Sequence, residues 1–460
     1  MADVRCKMYD VRILLLKKIR AKIWLYSKFT VNLQQISKRI QIMVEYVKRD
    51  VYLNRLIVRR DNDMIKVVTG PRRAGKSFLL DPIFKDYLLG QGVPKDHIIS
   101  ISFDIEDEDT PQELLDREKL KEYLYSRIVS MTEPYYVFLD EIQEVDDFER
   151  IVNGLNKRSN VDVYITGSNS KFLSSDINTI FRGRSDEVNI MPFTFNEFCQ
   201  DRTESVNELW KEYYTYGGLP ALRRMPTPEQ KTTYLQRLWK KTYLDDVVER
   251  HHVENRDALE AIADALCSSV GSLTNTTRIT NTLASVRKIK ISDDTVAKYI
   301  GYLEEAFLFS EARRFNIKGN KYYENIKKFY SVDVGLRNAR LNYRQQEQTH
   351  LMENIIFNEL LHQGYAVDVG VVEKREMKNG KSEYKQYEVD FVATNGNDKM
   401  YIQSAFAIDD EDKRQQELNS LLKIDDSFRK IVIVGQDIVE YTDEKGIRFM
   451  GLFQFLQTGV

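Results

Sequence analysis

The N-terminal half of this chain is predicted to adopt an α/β fold with a parallel sheet. Short apolar runs that are rich in β-branched and aromatic residues alternate with polar or helical stretches, as expected for parallel strands joined by crossover helices. A glycine-containing loop also follows the first run and leads into a helical segment. The C-terminal third returns to such an alternation, so a second α/β region is expected there.

Five runs are predicted as the strands of the first sheet. They comprise residues 64–68, 98–104, 135–140, 161–166 and 186–190. The first four are nearly continuous apolar runs, which is typical of parallel strands that are buried on both faces. Because the carboxyl ends of such strands lie at one edge of the sheet, the polar residues that follow them are candidate functional residues.

The loop after the first run matches the phosphate-binding pattern G-x-x-x-x-G-K-[ST]. The predicted binding residues are Gly70, Pro71, Arg72, Arg73, Ala74, Gly75, Lys76, Ser77 and Phe78. In such a loop the backbone N–H groups and the N-terminus of the following helix bind phosphate. Lys76 would reach the β- and γ-phosphates, and the Ser77 hydroxyl would bind Mg²⁺.

Two carboxylates follow the third run. Asp140 is its last residue and Glu141 comes directly after it. At the sheet edge beside the phosphate loop, Asp140 is expected to hold Mg²⁺ through water, and Glu141 to polarise the water that attacks the γ-phosphate. The alternative is a pair of solvated carboxylates at the end of a strand.

Two later segments supply further candidates for nucleotide chemistry. Ser168 or Asn169, after the fourth run, would hydrogen-bond the γ-phosphate or the attacking water, although either could instead cap a helix or form a turn. Arg182 and Arg184 would stabilise transition-state charge if a neighbouring subunit offered them to the nucleotide. A surface salt bridge explains these two arginines equally well.

Several motifs carry a resemblance to a known family. They are GPRRAGKS at 70–77, LDEIQ at 139–143, TGSNS at 166–170, FRGRS at 181–185, MPFTFNEF at 191–198, YGGLP at 216–220, DDVVER at 245–250, DVGL at 333–336 and EVDF at 388–391. With these motifs, residues 43–460 resemble prokaryotic AAA-superfamily ATPases that carry a C-terminal domain of unknown function. The resemblance implies an AAA-type P-loop NTPase domain at 43–202, with ATP and Mg²⁺ as cofactors, and supplies no established substrate.

Composition places the chain among soluble globular proteins. Charged residues make up 30% and hydrophobic residues 42% of the 460 residues, and the formal net charge is -2, so any contact with nucleic acid must be local. No apolar run approaches the roughly 18–20 residues that span a bilayer. Cys6, Cys199 and Cys267 are too few for a disulfide framework and too far apart to suggest paired metal ligands, so a reducing, cytoplasmic location is expected.

Residues 1–42 differ from the rest of the chain. They hold ten basic and two acidic residues around apolar stretches, and they lack the small-residue cleavage site of a signal peptide. One interpretation is a basic amphipathic arm for a membrane or nucleic acid. The other is an upstream extension, with Met43 opening the functional chain.

The region 203–319 is predicted to be helical and to include a winged-helix or helix-turn-helix unit, as the family resemblance also implies. Ser292 would cap a helix that presents Val296, Ile300, Leu303 and Phe307 on one face.

A DNA-reading role for this unit stays open beside simple domain packing. Asp293 and Asp294, at the start of the helix, would repel phosphate. The flanking cations that could compensate are Arg278, Arg287, Lys288, Lys290, Arg313 and Arg314.

The region 320–460 is predicted to be an α/β domain that resembles restriction endonucleases of the PD-(D/E)xK type. Active versions use carboxylates to hold Mg²⁺ and a lysine to position water. Here Glu353 and Asp390 occupy acidic positions, but Gln403 replaces the second acidic residue and Ala405 the lysine. The sequence therefore predicts a degenerate, inactive site, unless Lys385 or Lys399 substitutes from a displaced position.

The functional hypothesis is Mg²⁺-dependent ATP binding and hydrolysis, coupled to a conformational change of the C-terminal regions and acting on or with DNA. The alternative is a nucleotide-gated protein–protein switch that does not bind DNA. An ATP-dependent nuclease is a third, weaker hypothesis. An arginine that acts in trans would require a homo-oligomer.

Overall fold

Two β-sheets organise the part of the chain that the computed structural model describes, namely residues 46–104, 112–167, 180–181, 183–378, 381–408 and 411–460. Residues Arg49–Val460 form one compact unit. The predicted arm at 1–42 lies outside the described residues. Within those residues, no helix combines the length and apolar character that crossing a bilayer requires.

The first sheet contains all five predicted strands. They are β1 Ile65–Thr69, β2 Ile98–Ser102, β3 Tyr135–Asp140, β4 Val161–Thr166 and β5 Ser185–Asn189. Every neighbouring pair is parallel, in the order β2-β3-β4-β1-β5. Every residue of β1 and β4 is buried, as the continuous apolar runs predict. The α/β fold predicted for this half of the chain is therefore confirmed.

Helices cover this sheet within the described residues. They are α1 Asp50–Arg59, α2 Lys76–Phe78, α3 Lys85–Gly90, α4 Arg117–Arg127 and α5 Phe148–Asn156. Helix α5 shows why they pack there, because Phe148, Ile151, Val152 and Leu155 form one apolar face at helical spacing and are all buried.

The middle region is helical as far as Glu305, as predicted, and strand β6 follows at Phe309–Asn316. The short helix α6 Phe195–Cys199 precedes this region, and its own helices are α7 Val206–Tyr216, α8 Pro228–Arg237, α9 Asp245–Arg250, α10 Arg256–Ser268, α11 Thr276–Thr282 and α12 Asp293–Glu305. Ser292 caps α12, since its side chain accepts a hydrogen bond from the backbone N–H of Thr295. Helix α12 ends at Glu305, so Phe307 lies beyond the apolar face on which it was predicted. Its φ of 55° takes the chain out of helical geometry.

The second sheet is mixed and has eight strands in the described residues. They are β6 Phe309–Asn316, β7 Lys321–Ser331, β8 Ala366–Lys378, β9 Lys381–Asn395, β10 Asp398–Ala405, β11 Arg429–Val434, β12 Tyr441–Thr442 and β13 Ile447–Gly451. Their order is β12-β13-β11-β10-β9-β8-β6-β7. The remaining helices are α13 Val334–Arg340, α14 Gln348–His362, α15 Glu411–Leu421 and α16 Leu452–Thr458. The predicted domain boundary at 319/320 lies in the turn between β6 and β7, which pair with each other.

Helix α1 joins the two sheet regions. The Tyr52 hydroxyl accepts a hydrogen bond from the Met191 N–H at 2.9 Å and lies 3.0 Å from Nδ1 of His362 on α14. On the same helix, Arg55 donates to the His362 carbonyl at 2.6 Å. Both residues therefore tie α14 to the first sheet region.

Candidate active site

The phosphate loop lies between β1 and α2, at the carboxyl edge of the first sheet. Gly70 begins it with a φ of 136°, and a Cβ at this position would lie 2.1 Å from the Ile190 carbonyl oxygen, so only glycine fits. Arg73 and Gly75 also have positive φ values, of 64° and 93°. The loop therefore has the tight curvature that phosphate binding by backbone N–H groups requires.

Lys76 is buried at the start of α2 and folds back onto the loop. Its ammonium group donates to the carbonyl oxygens of Gly70, at 3.1 Å, and Pro71, at 3.2 Å. Burial lowers the pKa of Lys76, while the nearby Glu141 and Asp140 carboxylates oppose that effect. The cation thus lies beside the two carboxylates that the sequence predicts as its partners in catalysis.

Asp140 ends β3 in contact with hydroxyl groups from two other elements. Thr166, the last residue of β4, donates to Oδ1 of Asp140 at 2.6 Å, and Ser102, the last residue of β2, donates to Oδ2 at 3.4 Å. Burial raises the pKa of Asp140, and the hydroxyls of Thr166 and Ser77 lower it in part. A hydroxyl and a carboxylate are hard oxygen donors of the kind that suit Mg²⁺, so Ser77 and Asp140 fit the predicted ion.

Glu141 has a backbone conformation that is uncommon outside glycine, with a φ of 52°. Its N–H donates to the Thr166 hydroxyl at 3.0 Å, and Gln143 donates to its carboxylate at 2.5 Å. Strained conformations of this kind occur often at functional sites. Thr166, which holds both Asp140 and Glu141, was not predicted from sequence as a site residue, although its place at the end of the strand between β1 and β3 is a usable signal.

Three of the four remaining sequence candidates, Ser168, Asn169 and Arg182, lie outside the described residues. Arg184 is exposed just before β5, and its carbonyl accepts a hydrogen bond from the Ile65 N–H at 2.8 Å. An arginine that acts from a neighbouring subunit stays a prediction.

A buried arginine outside the first sheet holds the phosphate loop from one side. Arg49, which precedes α1, donates to the Ala74 carbonyl at 2.9 Å and to the Met191 carbonyl at 2.7 Å. It also forms an ion pair with Glu197 on α6 at 3.1 Å, with 3% and 8% of the two side chains exposed. No sequence pattern indicates this partnership, since 148 positions separate the two residues.

The middle region contacts the loop from another side. The Tyr243 hydroxyl donates to the Arg72 carbonyl at 3.0 Å, and the Arg72 guanidinium pairs with Asp246 at 2.6 Å. The second carboxylate oxygen of Asp246 pairs with Arg250 at 2.5 Å. Asp246 and Arg250 belong to the DDVVER motif, which had no assigned role in the sequence.

A second group of charged residues lies on the eight-stranded sheet. Glu353 on α14 and Asp390 on β9 come together there, as their predicted positions suggest. Gln403 on β10 instead donates to Glu417 at 3.1 Å and contacts Ser420 at 3.4 Å, both on α15. Its weak contact with Asp390 is to the backbone N–H, at 3.4 Å. The three predicted residues therefore do not converge on one point through their side chains.

The lysine of this group is Lys328 on β7. Its ammonium lies 2.8 Å from Glu353, 2.9 Å from Glu388 and 3.9 Å from Asp390. Burial lowers the pKa of Lys328, but the three carboxylates outweigh burial and raise it overall. Tyr330, on the same strand, also donates to Glu353 at 2.7 Å. We refer to Lys328, Glu353, Glu388 and Asp390 as the buried ion cluster.

The two lysines that were predicted to substitute both lie against aromatic rings. Lys399 lies over the rings of Phe315, Tyr401 and Phe428, and Lys385 lies over Tyr387. In the described part of the chain, no group of three or more His, Cys, Asp or Glu residues is arranged to hold a metal ion.

Comparison with known families gives two matches along the chain. A model described as an AAA domain matches residues 62–199. A second model, Domain of unknown function (DUF8612), matches residues 207–347. The first match contains the phosphate loop and both candidate catalytic carboxylates.

Relatives and solved structures are similar over longer stretches. An uncharacterised protein of Haemophilus influenzae is 34% identical over 415 residues, which cover 89% of this chain and 98% of that protein. An uncharacterised protein of Methanocaldococcus jannaschii is 29% identical over 447 residues, or 95% and 93% of the two chains. The structure of Aeropyrum pernix ORC1 in complex with DNA is 14% identical, covers 65% of this chain and 94% of that chain, and has a TM-score of 0.28.

Proposed function

This chain belongs to the AAA superfamily of P-loop ATPases, in one family with the Haemophilus influenzae protein, and we propose that it binds ATP with Mg²⁺ and hydrolyses the ATP. One observation carries the proposal. Thr166 holds Asp140 and Glu141 at the end of β4, which is the neighbour of β1, so the two carboxylates lie at the edge of the sheet where the phosphate loop begins and where a nucleotide's phosphates and their metal ion would bind.

Each residue of the candidate active site has a separate proposed role in ATP binding or hydrolysis. The loop N–H groups bind phosphate, and Lys76 exchanges its neutral carbonyl acceptors for anionic phosphate oxygens, to which its ammonium group binds more strongly. Ser77 and Asp140 hold the Mg²⁺, which neutralises part of the phosphate charge. Glu141 accepts the proton of the attacking water. Thr166 keeps Asp140 and Glu141 at a fixed spacing because it bonds to both.

Glu141→Gln is expected to abolish turnover while preserving nucleotide binding. Loss of the general base should lower the ATPase rate by about 10²-fold or more, since general bases contribute roughly 10²–10⁴-fold. The steady-state rate of phosphate release and the Kd of a fluorescent ATP analogue would be measured together. Asp146→Asn, an exposed carboxylate in the same segment, serves as the matched control and should turn over normally.

Two results would contradict the proposal. One is a wild-type protein that binds no ATP in the presence of Mg²⁺. The other is full turnover by Glu141→Gln.

A second candidate function is a DNA-responsive ATPase. Helices α11 and α12 are followed by the hairpin of β6 and β7, the element order of a winged helix, and Arg278, Lys288 and Lys290 are exposed beside α12. Asp293, which was predicted to repel phosphate, accepts a hydrogen bond from Thr277 at 2.5 Å. This unit therefore presents cations to a partner while one of its acidic groups is engaged internally.

For a DNA-responsive ATPase, double-stranded DNA should stimulate ATP turnover, and the stimulation should weaken as the salt concentration rises because phosphate contacts release counterions. The joint variant Lys288→Gln and Lys290→Gln should lose stimulation and keep the basal rate. Absence of stimulation, with turnover per chain rising with protein concentration, would favour instead a nucleotide-gated protein–protein switch that uses an arginine in trans.

A further inference from the structure

One carboxylate beside the phosphate loop neutralises two arginines. Oδ1 of Asp246 pairs with Arg72 at 2.6 Å and Oδ2 pairs with Arg250 at 2.5 Å. The three side chains together carry one surplus positive charge. They are partly buried, with 34%, 23% and 17% of the Arg72, Asp246 and Arg250 side chains exposed. This surplus lies next to the loop that is proposed to receive an anionic ligand.

The contact joins two elements whose relative position matters for the proposed function. Arg72 is part of the phosphate loop, whereas Asp246 lies on α9 of the middle region. The π-helical segment Leu238–Leu244 runs directly into α9 and carries Tyr243, whose hydroxyl binds the Arg72 carbonyl. One continuous helical segment therefore holds both the backbone and the side chain of Arg72.

The Arg72 guanidinium is not fully used in this position. Its Nε is buried and, within the described residues, has no hydrogen-bond partner. The positive charge of Arg72 also lowers the pKa of the neighbouring Lys76 and of Arg250, after the larger effect of burial in both cases, so it acts at the phosphate end of the loop. An anion bound by Lys76 would attract Arg72 and would offer acceptors to its unused N–H.

We propose that Asp246 is a positioning residue that holds Arg72 away from the nucleotide in this conformation, and that bound ATP phosphates take Arg72 from Asp246. Binding of the nucleotide then breaks the ionic link between the phosphate loop and α9, and the Tyr243 hydroxyl remains as the contact of this helical segment with Arg72. This inference rests on the proposed ATP binding and deepens it, since it names the contact through which the nucleotide state reaches the middle helices.

A double-mutant cycle in the non-hydrolysing Glu141→Gln protein tests the proposal, with the Kd of ATP as the readout. Arg72→Ala should weaken binding by about tenfold or more, the value of a charge-assisted hydrogen bond. Asp246→Asn should tighten binding by about three- to tenfold, because the nucleotide no longer competes for Arg72. In the Arg72→Ala background, Asp246→Asn should have little effect.

Asp245→Asn is the matched control for the change of charge. Asp245 precedes Asp246 on α9 and pairs with Arg256 at 2.7 Å instead of with the loop. Its removal should leave the Kd of ATP unchanged in both backgrounds. Thermal unfolding of each variant checks that it is folded.

The outcomes separate this inference from the proposed function. If Glu141→Gln with an intact loop binds no ATP, ATP binding itself is wrong. If it binds ATP but Arg72→Ala leaves the Kd unchanged, or Asp246→Asn has the same effect with and without Arg72, only the positioning role is overturned. If Asp246→Asn does not fold, an unchanged Kd in Arg72→Ala still overturns the positioning role.

Discussion

Lys328→Met is expected to lower the free energy of unfolding by about 3–5 kcal/mol, the usual cost of removing one partner of a buried ion pair. The variant would keep Glu353, Glu388 and Asp390 around a site without its cation. The Lys328 side chain is only 4% exposed, so water cannot replace the lost contacts without a rearrangement of the strands. Chemical denaturation, compared through the midpoint and slope of the transition, measures the difference.

The loss of unfolding free energy in Lys328→Met should depend on pH in a defined direction. Burial raises the pKa of Asp390, and the Glu353 charge raises it further, so the folded protein keeps a proton that the unfolded chain loses above the ordinary pKa of 3.8. The free energy of unfolding therefore falls as the pH rises from 3.8 towards the raised pKa of Asp390 in the folded protein. Without Lys328 the carboxyl groups repel one another more strongly when ionised, so the variant should be least stable at neutral or higher pH and should partly recover in acid.

Lys327→Met is a close control for this effect. Lys327 is the neighbouring residue on β7 and pairs with Glu311 at 2.5 Å, but about a third of each side chain is exposed. Exposed ion pairs contribute about 0–1 kcal/mol, so Lys327→Met should change the free energy of unfolding very little. Equal effects of the two substitutions would show that Lys328 has no special part in the buried ion cluster.

The buried ion cluster also illustrates the limit of motif reasoning. The sequence indicated a degenerate site because Gln403 and Ala405 stand at two motif positions, and it directed the search for a lysine to the same or adjacent strands. Lys328 arrives from β7, which is separated from β9 by β6 and β8 in the sheet order. No local pattern links a lysine on one strand to a carboxylate on another, because sheet pairing and the overlying helix α14 decide which side chains meet.

Elements that are determined by local chemistry were predictable. The five strands of the first sheet, the loop from Gly70 to Ser77 and the cap at Ser292 follow from apolar runs, glycine positions and a side-chain acceptor. The long hairpin of β8 and β9 extends further than its apolar residues indicated. Its outer part is polar and is held by pairing between the two strands, which an apolar pattern does not detect.

The side-chain contacts around the phosphate loop could not be predicted from the sequence for the same reason. Arg49, Tyr243 and Asp246 are distant in sequence from the loop residues that they bind. The segment around each of them has no local pattern that indicates a contact with the loop. Family motifs covered Asp246 and Glu197 but gave them no role. Their roles follow from distances and burial, since a buried guanidinium or carboxylate must find its partners wherever the fold supplies them.

Arg49→Met is expected to destabilise the protein by about 3–5 kcal/mol and to weaken ATP binding at the same time. The stability loss follows because Glu197 would remain buried without its cation. The weaker binding follows because the carbonyl of Ala74, within the phosphate loop, would lose its donor from Arg49. Unfolding by denaturant and the Kd of a fluorescent ATP analogue measure the two effects.

Two further variants separate charge from anchoring. Arg59→Met removes an arginine from α1 whose pair with Asp186 is more exposed, at 28% for both side chains, so it should cost about 1 kcal/mol or less and leave ATP binding unchanged. Arg49→Met combined with Glu197→Gln removes the unpaired carboxylate charge of Glu197 and should recover part of the free energy of unfolding. It should not recover ATP binding, because the Ala74 carbonyl still lacks its donor; recovery of both would mean that Arg49 serves only to neutralise Glu197 and has no part in holding the loop.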